Sequence, residues 1–182
     1  MRQALLGLGH LHARGVIHKD VKPSNFLVMR EGHVVVSDFD ISTDRTVSDR
    51  TSTGRGVVGQ GTHGYMAPEV LEGGAHSKAS DMYSFGVSLA ELALERLPTS
   101  PELQSLGRGS DGSLTQVDPD LRKLLRSLLT AAPARRLDAE VCEGAQGHAR
   151  APFRCGGGTD YQLIIQALQP CGVHHMLPVC LP

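Results

Sequence analysis

Between Asp20 and Asn25 the run DVKPSN sets a carboxylate, the ammonium group of Lys22 and a carboxamide on one turn-forming stretch. A second carboxylate, Asp38, follows a run of valines, and Thr62 lies beyond a long segment of Ser, Thr, Gly, Asp and Arg. Carboxylate and amide oxygens can bind a hard cation or take a proton, and an ammonium group can sit against an anion. Taken alone, an Asp and an Asn at this spacing cap a turn more often than they do chemistry. A separate set, Cys142, His148, Cys155, Cys171, His174, His175 and Cys180, offers zinc ligands, but it contains no C-x-x-C pair and the zinc reading is set aside.

The elements that must position these groups are read from periodicity. Leu5, Leu8, Leu11 and His12 recur at helical spacing and predict a helix over 4–14, closed at Gly15. Val16-Ile17-His18 is short and β-prone, and Pro23 fixes one dihedral of the loop after it. Phe26 to Met29 and His33 to Ser37, separated by Arg30-Glu31-Gly32, read as a β-hairpin that leaves Asp38 just past its second strand. From Ile41 to Gly64 there is no apolar period, so a mobile surface loop is expected. From Ser80 to Leu97, Met82, Phe85, Leu89 and Leu92, widened by Val87, Ala90, Ala93 and Leu94, predict a helix buried on most sides. Residues 98–117, rich in Gly and Ser, are expected to be weakly structured. LRKLLRSLL, from Leu121 to Leu129, predicts an amphipathic helix that starts at Asp118-Pro119.

Four of these stretches together resemble the eukaryotic protein kinases. His18 to Asn25 (HKDVKPSN) is similar to their catalytic loop, and Asp38-Phe39-Asp40 stands where their Asp-Phe-Gly stands. Gly61 to Glu69 (GTHGYMAPE) resembles the end of the activation segment, and Ser80 to Gly86 (SDMYSFG) the start of the central helix. The resemblance implies roles. Asp20 would orient the substrate hydroxyl and take its proton, Lys22 would contact the γ-phosphate of ATP, and Asn25 and Asp38 would hold Mg2+. Leu27 would form the floor under the adenine ring, and Thr62 would face the substrate. Lys22 at its place after Asp20, together with Thr62, is similar to the serine/threonine branch. Structural roles are implied for His18, packed against Phe39, for Asp81, tethering the catalytic-loop backbone, and for Glu69, paired with Arg136.

The resemblance also implies a fold: mainly α with a small β-hairpin, a protein-kinase-like C-terminal lobe lacking the N-terminal lobe. It covers residues 1–141, and 142–182 is expected to be a disordered or loosely packed tail with a short helix or strand from Tyr161 to Leu168. No residues here resemble the Gly-rich phosphate loop, the strand Lys or the helix Glu of the N-terminal lobe. General base catalysis contributes about 10² to 10⁴ in rate, whereas positioning supplies roughly 7 to 11 kcal/mol, so these residues alone are expected to transfer phosphate weakly or not at all. Lys19 replaces the usual Arg and loses its planar two-pronged grip on phosphate, which weakens phospho-activation at Thr46, Ser48, Thr51, Ser52 or Thr53. Asp40 replaces Gly and adds negative charge beside the expected metal. Two other functions compete: a non-catalytic, pseudokinase-like binding module, and a small-molecule phosphotransferase, which the segments at 61–69 and 80–86 disfavour.

The resemblance implies an intracellular, cytoplasmic protein that takes ATP and a protein substrate, and composition narrows the other classes of partner. The 182 residues carry a formal net charge of -1, which excludes binding of nucleic acid or acidic membranes by bulk electrostatics. The apolar stretch in residues 2–9 is too brief for a signal peptide, and no run approaches the roughly 18 apolar residues of a membrane span. Residues 1–141 contain no cysteine, so the larger part is no disulfide scaffold. Without Trp, and with only 4% aromatic residues, the core must be built mostly from Leu and Val.

Overall fold

The computed structural model describes residues 1–30, 32–44, 60–110 and 117–139. The fold is helix-rich, with two small antiparallel sheets of two strands each. Helix α1 (Arg2–Ala13) buries Ala4, Leu5, Leu8 and His12 and stops where Gly15 turns left-handed at φ 77. The chain then enters β1 (Val16–Ile17), passes through a 3-10 turn at Pro23–Asn25, and forms the hairpin of β2 (Phe26–Val28) and β3 (Val34–Val36). In the hairpin Phe26 pairs with Val36, Leu27 with Val35 and Val28 with Val34.

Helix α2 (Pro68–Leu71) leads into the long α3 (Lys78–Leu94). Ser77 and Ser80 close a reciprocal capping box at the start of α3, and every residue from Ser80 to Ala90 is buried. The helix is shorter than its apolar pattern predicted, because Glu95 takes a left-handed conformation at φ 57 and ends it. Helix α5 (Pro119–Leu128) starts at Asp118, whose side chain accepts from the Asp120 and Leu121 amides, as the sequence predicted. It packs Leu124, Leu125 and Leu128 inward. Gly86 permits this approach, since a Cβ there would lie 2.8 Å from the Leu128 Cβ. Phe85, Met82, Val87, Leu125 and Leu128 form the fully buried centre.

Two expectations are corrected. Residues 98–117 are not uniformly unstructured: Ser100–Arg108 form helix α4, which buries Leu103 and Leu106. Thr99 and Glu102 cap it reciprocally and Gly109 closes it at φ 81, so short-range capping outweighs the Gly and Ser content. The stretch 41–64 is likewise no continuous loop, because Thr43–Asp44 form β4, antiparallel to β1, and His63–Tyr65 form a 3-10 turn. A strand this short carries no apolar period to read. Thr46, Ser48, Thr51, Ser52 and Thr53 lie outside the described residues, as do residues 142–182 with their Cys and His set and the stretch from Tyr161 to Leu168. Among the described residues no helix is long and apolar enough to cross a membrane.

Candidate active site

The site is built around Asp20, which sits between β1 and the turn at Pro23–Asn25. One carboxylate oxygen, Oδ1, accepts from the Thr62 hydroxyl at 2.7 Å and from the Thr62 amide at 3.0 Å. The other, Oδ2, lies 2.7 Å from Lys22 Nζ, which also donates to Thr62 Oγ1 at 2.8 Å. Asn25 Nδ2 donates to the Asp20 carbonyl at 2.8 Å and, more loosely, to Asp20 Oδ2 at 3.3 Å. The structure thus joins Asp20, Lys22, Asn25 and Thr62 into one network, although Thr62 is far from the others in the chain. Partial burial pushes the Asp20 carboxyl up, but the hydrogen bonds from Lys22 and Thr62 and the charge of Lys22 outweigh it and hold the group below the usual carboxylate range.

Asp81, on the first turn of α3, fixes the backbone that carries Asp20. It is 1% exposed, its Oδ1 accepts from the Lys19 amide and its Oδ2 from the His18 amide, both at 2.8 Å. Lys19 is held at φ 72, a left-handed conformation that costs a side-chain-bearing residue about 1–3 kcal/mol. Burial lowers the Lys19 ammonium, against the opposing pull of Asp81. Gly61 is needed opposite: at φ 111, a Cβ there would sit 2.7 Å from the Lys19 carbonyl oxygen. That close approach is what lets the neighbouring Thr62 reach Asp20.

His18 and Asn25 connect this loop to the strand end. His18 Nε2 donates to the Ser37 carbonyl at 2.9 Å and its Nδ1 accepts from the Asp20 amide at 3.3 Å, which fixes its tautomer. Its ring packs against Phe39 at 5.2 Å between centroids. The Ser37 amide donates to the Asn25 carbonyl at 2.9 Å, so the residue before Asp38 is anchored to a member of the Asp20 network. Asp38 itself is exposed at φ 66, and among the described residues its carboxylate has no hydrogen-bond or ion-pair partner. Leu27 is 44% exposed on β2, opposite Val35 at 42%.

The Glu69 to Arg136 pair expected from the sequence is present and bidentate: Nη1 to Oε1 at 2.6 Å and Nη2 to Oε2 at 3.0 Å. Arg136 further donates to the carbonyls of Thr130, Ala79 and Ala131, so all of its N–H groups are engaged, and its guanidinium lies over the Tyr83 ring.

Several residues escaped the sequence reading. Tyr65, next to the site, donates its hydroxyl to Glu91 Oε2; burial first, then Glu91, raises the phenol above its ordinary range. Ser37 joins His18 to Asn25, and nothing in its sequence position signals this. His12 bonds to Asp81 at 2.9 Å, and its signal was a histidine on the apolar stripe of α1.

A helix-rich body that presents an Asp, a Lys and an Asn from one loop, closed by a Thr from a distant segment and tethered from a buried helix, defines a protein-kinase-like domain. A protein kinase domain model matches residues 1–146, and the chain belongs to the protein kinase family. Ribosomal protein S6 kinase alpha-2 of Mus musculus is 33% identical over 158 residues, covering 84% of this chain and 21% of that protein. The RAC family serine/threonine-protein kinase homolog of Dictyostelium discoideum is 36% identical over 141 residues, 74% of this chain and 31% of that protein. Protein kinase PINOID of Oryza sativa subsp. japonica is 31% identical over 188 residues, 74% of this chain and 39% of that protein. The chain therefore spans between a fifth and two fifths of the length of these relatives.

Proposed function

We propose that residues 1–141 are the C-terminal lobe of a serine/threonine protein kinase domain, which transfers the γ-phosphate of ATP to Ser and Thr hydroxyls of a protein substrate inside the cell. The observation that supports this most is the Asp20 carboxylate, held ionised and aimed by Lys22 and Thr62. Phosphoryl transfer asks a protein mainly for positioning and charge stabilisation. In this reading Asp20 orients the acceptor hydroxyl and receives its proton, Lys22 swings its ammonium to the γ-phosphate, and Thr62 faces the substrate. Leu27, half exposed on its strand, lies under the adenine ring.

The donor set fits Mg2+. Asn25 directs its amide hydrogens at Asp20, and among the described residues neither its Oδ1 nor the exposed Asp38 carboxylate has a hydrogen-bond partner. These are hard oxygens of the kind magnesium takes. When bound, the ion would neutralise charge on the phosphates. Asn25 and Asp38 would hold it, and the Ser37 bond to Asn25 keeps their backbones in register.

The test is magnesium-dependent phosphorylation of a Ser/Thr peptide by the whole protein. Asp20→Asn should lower the rate by about 10² to 10⁴, and an unchanged rate overturns the reading. The 182 residues alone should show little or no transfer. A second reading, a non-catalytic binding module, is favoured by one observation, the exposure of the apolar side chains Leu27, Val28, Met29 and Val35 on the hairpin. It wins if the whole protein binds no ATP with magnesium.

A further inference from the structure

His76 stands in the turn between α2 and α3, one residue before the Ser77 that caps α3. Its backbone is pinned from both sides: the Gly74 amide donates to the Glu69 carbonyl at 2.8 Å, and the Ser77 capping box closes behind it. The ring lines a cavity with Lys19, Asp20, Thr62, Tyr65 and Val70, at the seam where Gly61 lies against the Lys19 carbonyl. Its Nε2 is buried there with no hydrogen-bond partner, and the Gln60 carbonyl acts on the ring as an acceptor. The hydrogen of the neutral ring therefore belongs on Nδ1, towards Gln60, and Nε2 carries a bare lone pair.

Acid would add an N–H and a positive charge at this nitrogen, and a buried N–H of that kind needs an acceptor. The carboxylates around it are all committed. Asp81 takes the His18 and Lys19 amides and the His12 ring, Glu69 is held on both oxygens by Arg136, and Asp20 takes Thr62, Lys22 and Asn25. Tyr65 gives its hydroxyl to Glu91. The remaining charge beside the ring is Lys19, a second cation. Burial first and Lys19 second lower the ring below the ordinary histidine range; the Gln60 carbonyl, Asp81 and Glu69 pull the other way and do not prevail. We propose that His76 is a proton-sensitive joint: neutral, it lets residues 60–62 close on Lys19, and protonated, it drives that seam apart and frees Thr62 from Asp20. A histidine lowered on folding favours the closed form above about 6.5, its ordinary value, and that preference is lost as pH falls through the folded value. The effect on catalysis rests on the phosphotransfer reading, whereas the opening of the seam does not.

The experiment follows the Thr62 amide and the His76 ring by NMR in the full chain from about pH 8 to about pH 5. Protection of the Thr62 amide, corrected for intrinsic exchange, should fall about tenfold with the same midpoint as the His76 ring, while the Leu124 and Leu125 amides in α5 keep theirs. His76→Phe, which fills the space without a titrating group, should abolish the fall, and Lys19→Met should raise the His76 midpoint. A fall that persists in His76→Phe belongs to another group, His18 first, and overturns the proposal; so does a His76 midpoint that stays put in Lys19→Met. Should His76→Phe fail to fold, the Lys19→Met comparison decides, since it keeps His76 in place. In the whole protein the acid limb of kcat should move to lower pH in His76→Phe. If the Thr62 amide follows His76 and the unaltered whole protein transfers no phosphate, the functional reading fails and the joint stands.

Discussion

Two buried charges organise this molecule, and they do so differently. Asp81 lies beneath the loop that carries Asp20 and receives backbone and imidazole N–H groups; Arg136 lies among the helices and donates to a carboxylate and three carbonyls. Around Arg136 the backbone is relaxed, with φ -74 and ψ 145 at the residue itself. Around Asp81 it is strained, with Lys19 at φ 72 and Gly61 pressed against the Lys19 carbonyl. Charge burial at Arg136 therefore serves to join elements, tying the end of the segment that holds Thr62 to the helices. At Asp81 the same device holds a conformation the loop would not choose. Buried ion pairs contribute little net stability but are costly to break, so each is a better marker of position than of strength.

The largest effect expected from this contrast is at Arg136. Its side chain is fully buried, and Arg136→Ala strands Glu69 together with the carbonyls of Thr130, Ala79 and Ala131. Urea denaturation should show a loss of about 3–5 kcal/mol; a loss under about 1 kcal/mol would mean that water replaces the guanidinium and that the joint is dispensable. Next comes Gly61→Ala on the strained side. The added Cβ meets the Lys19 carbonyl oxygen at 2.7 Å in a backbone conformation that disfavours it, so about 1–3 kcal/mol should be lost. The Thr62 amide should lose its bond to Asp20 in the same variant, visible as faster exchange at that amide. If the Thr62 amide is unaffected, the close packing of the two segments does not hold the site together.

A smaller effect of opposite sign tests whether strain by itself marks the functional region. Glu95 also sits left-handed, at φ 57, but it only ends α3. Replacing it with Gly should raise stability by about 1 kcal/mol and leave the phosphotransfer proposed for the whole protein unchanged. A gain in stability accompanied by lost activity would place Glu95 with Lys19 rather than apart from it.

Legibility in the sequence followed the same divide between local and long-range causes. The hairpin, α1, α3 and α5 were readable because each carries its own period and, at Asp118, its own cap. The Glu69 to Arg136 joint was readable only through family resemblance, since no local rule pairs residues so far apart. Helix α4 is hidden in the sequence although Thr99, Glu102 and Gly109 spell its two ends, because the Gly and Ser content of 98–117 masks the capping signal. Strand β4 was missed for a physical reason: two residues pair with β1 only because the fold brings them there. Within the site, residue identities at Asp20, Lys22, Asn25 and Thr62 were legible, whereas the tautomer of His18, the hub at Ser37 and the reach of His12 to Asp81 belong to tertiary structure alone.

The smallest expected effect concerns an exposed charge pair that belongs to neither knot. Glu102 accepts from Arg96 on both oxygens and from the Thr99 amide and hydroxyl, and these bonds, Arg96 first, lower its carboxyl from 4.5 to about 2. A carboxyl depressed on folding contributes stability that is whole above its unfolded value and is lost as pH falls through its folded value. The contribution should therefore be complete above about pH 4.5 and vanish on approach to about pH 2. Because the pair is exposed, the change in stability should be slight and further reduced by salt. The carboxyl carbon of Glu102, followed by NMR, gives the sharper measure. Removing the guanidinium with Arg96→Gln should move the titration part of the way back, the capping bonds from Thr99 keeping some of the shift. A full return to the ordinary range would show that the ion pair, and not the cap, orders the start of α4. No depression in the unaltered protein would show that both are loose, leaving the buried knots at Asp81 and Arg136 as the charges that hold position.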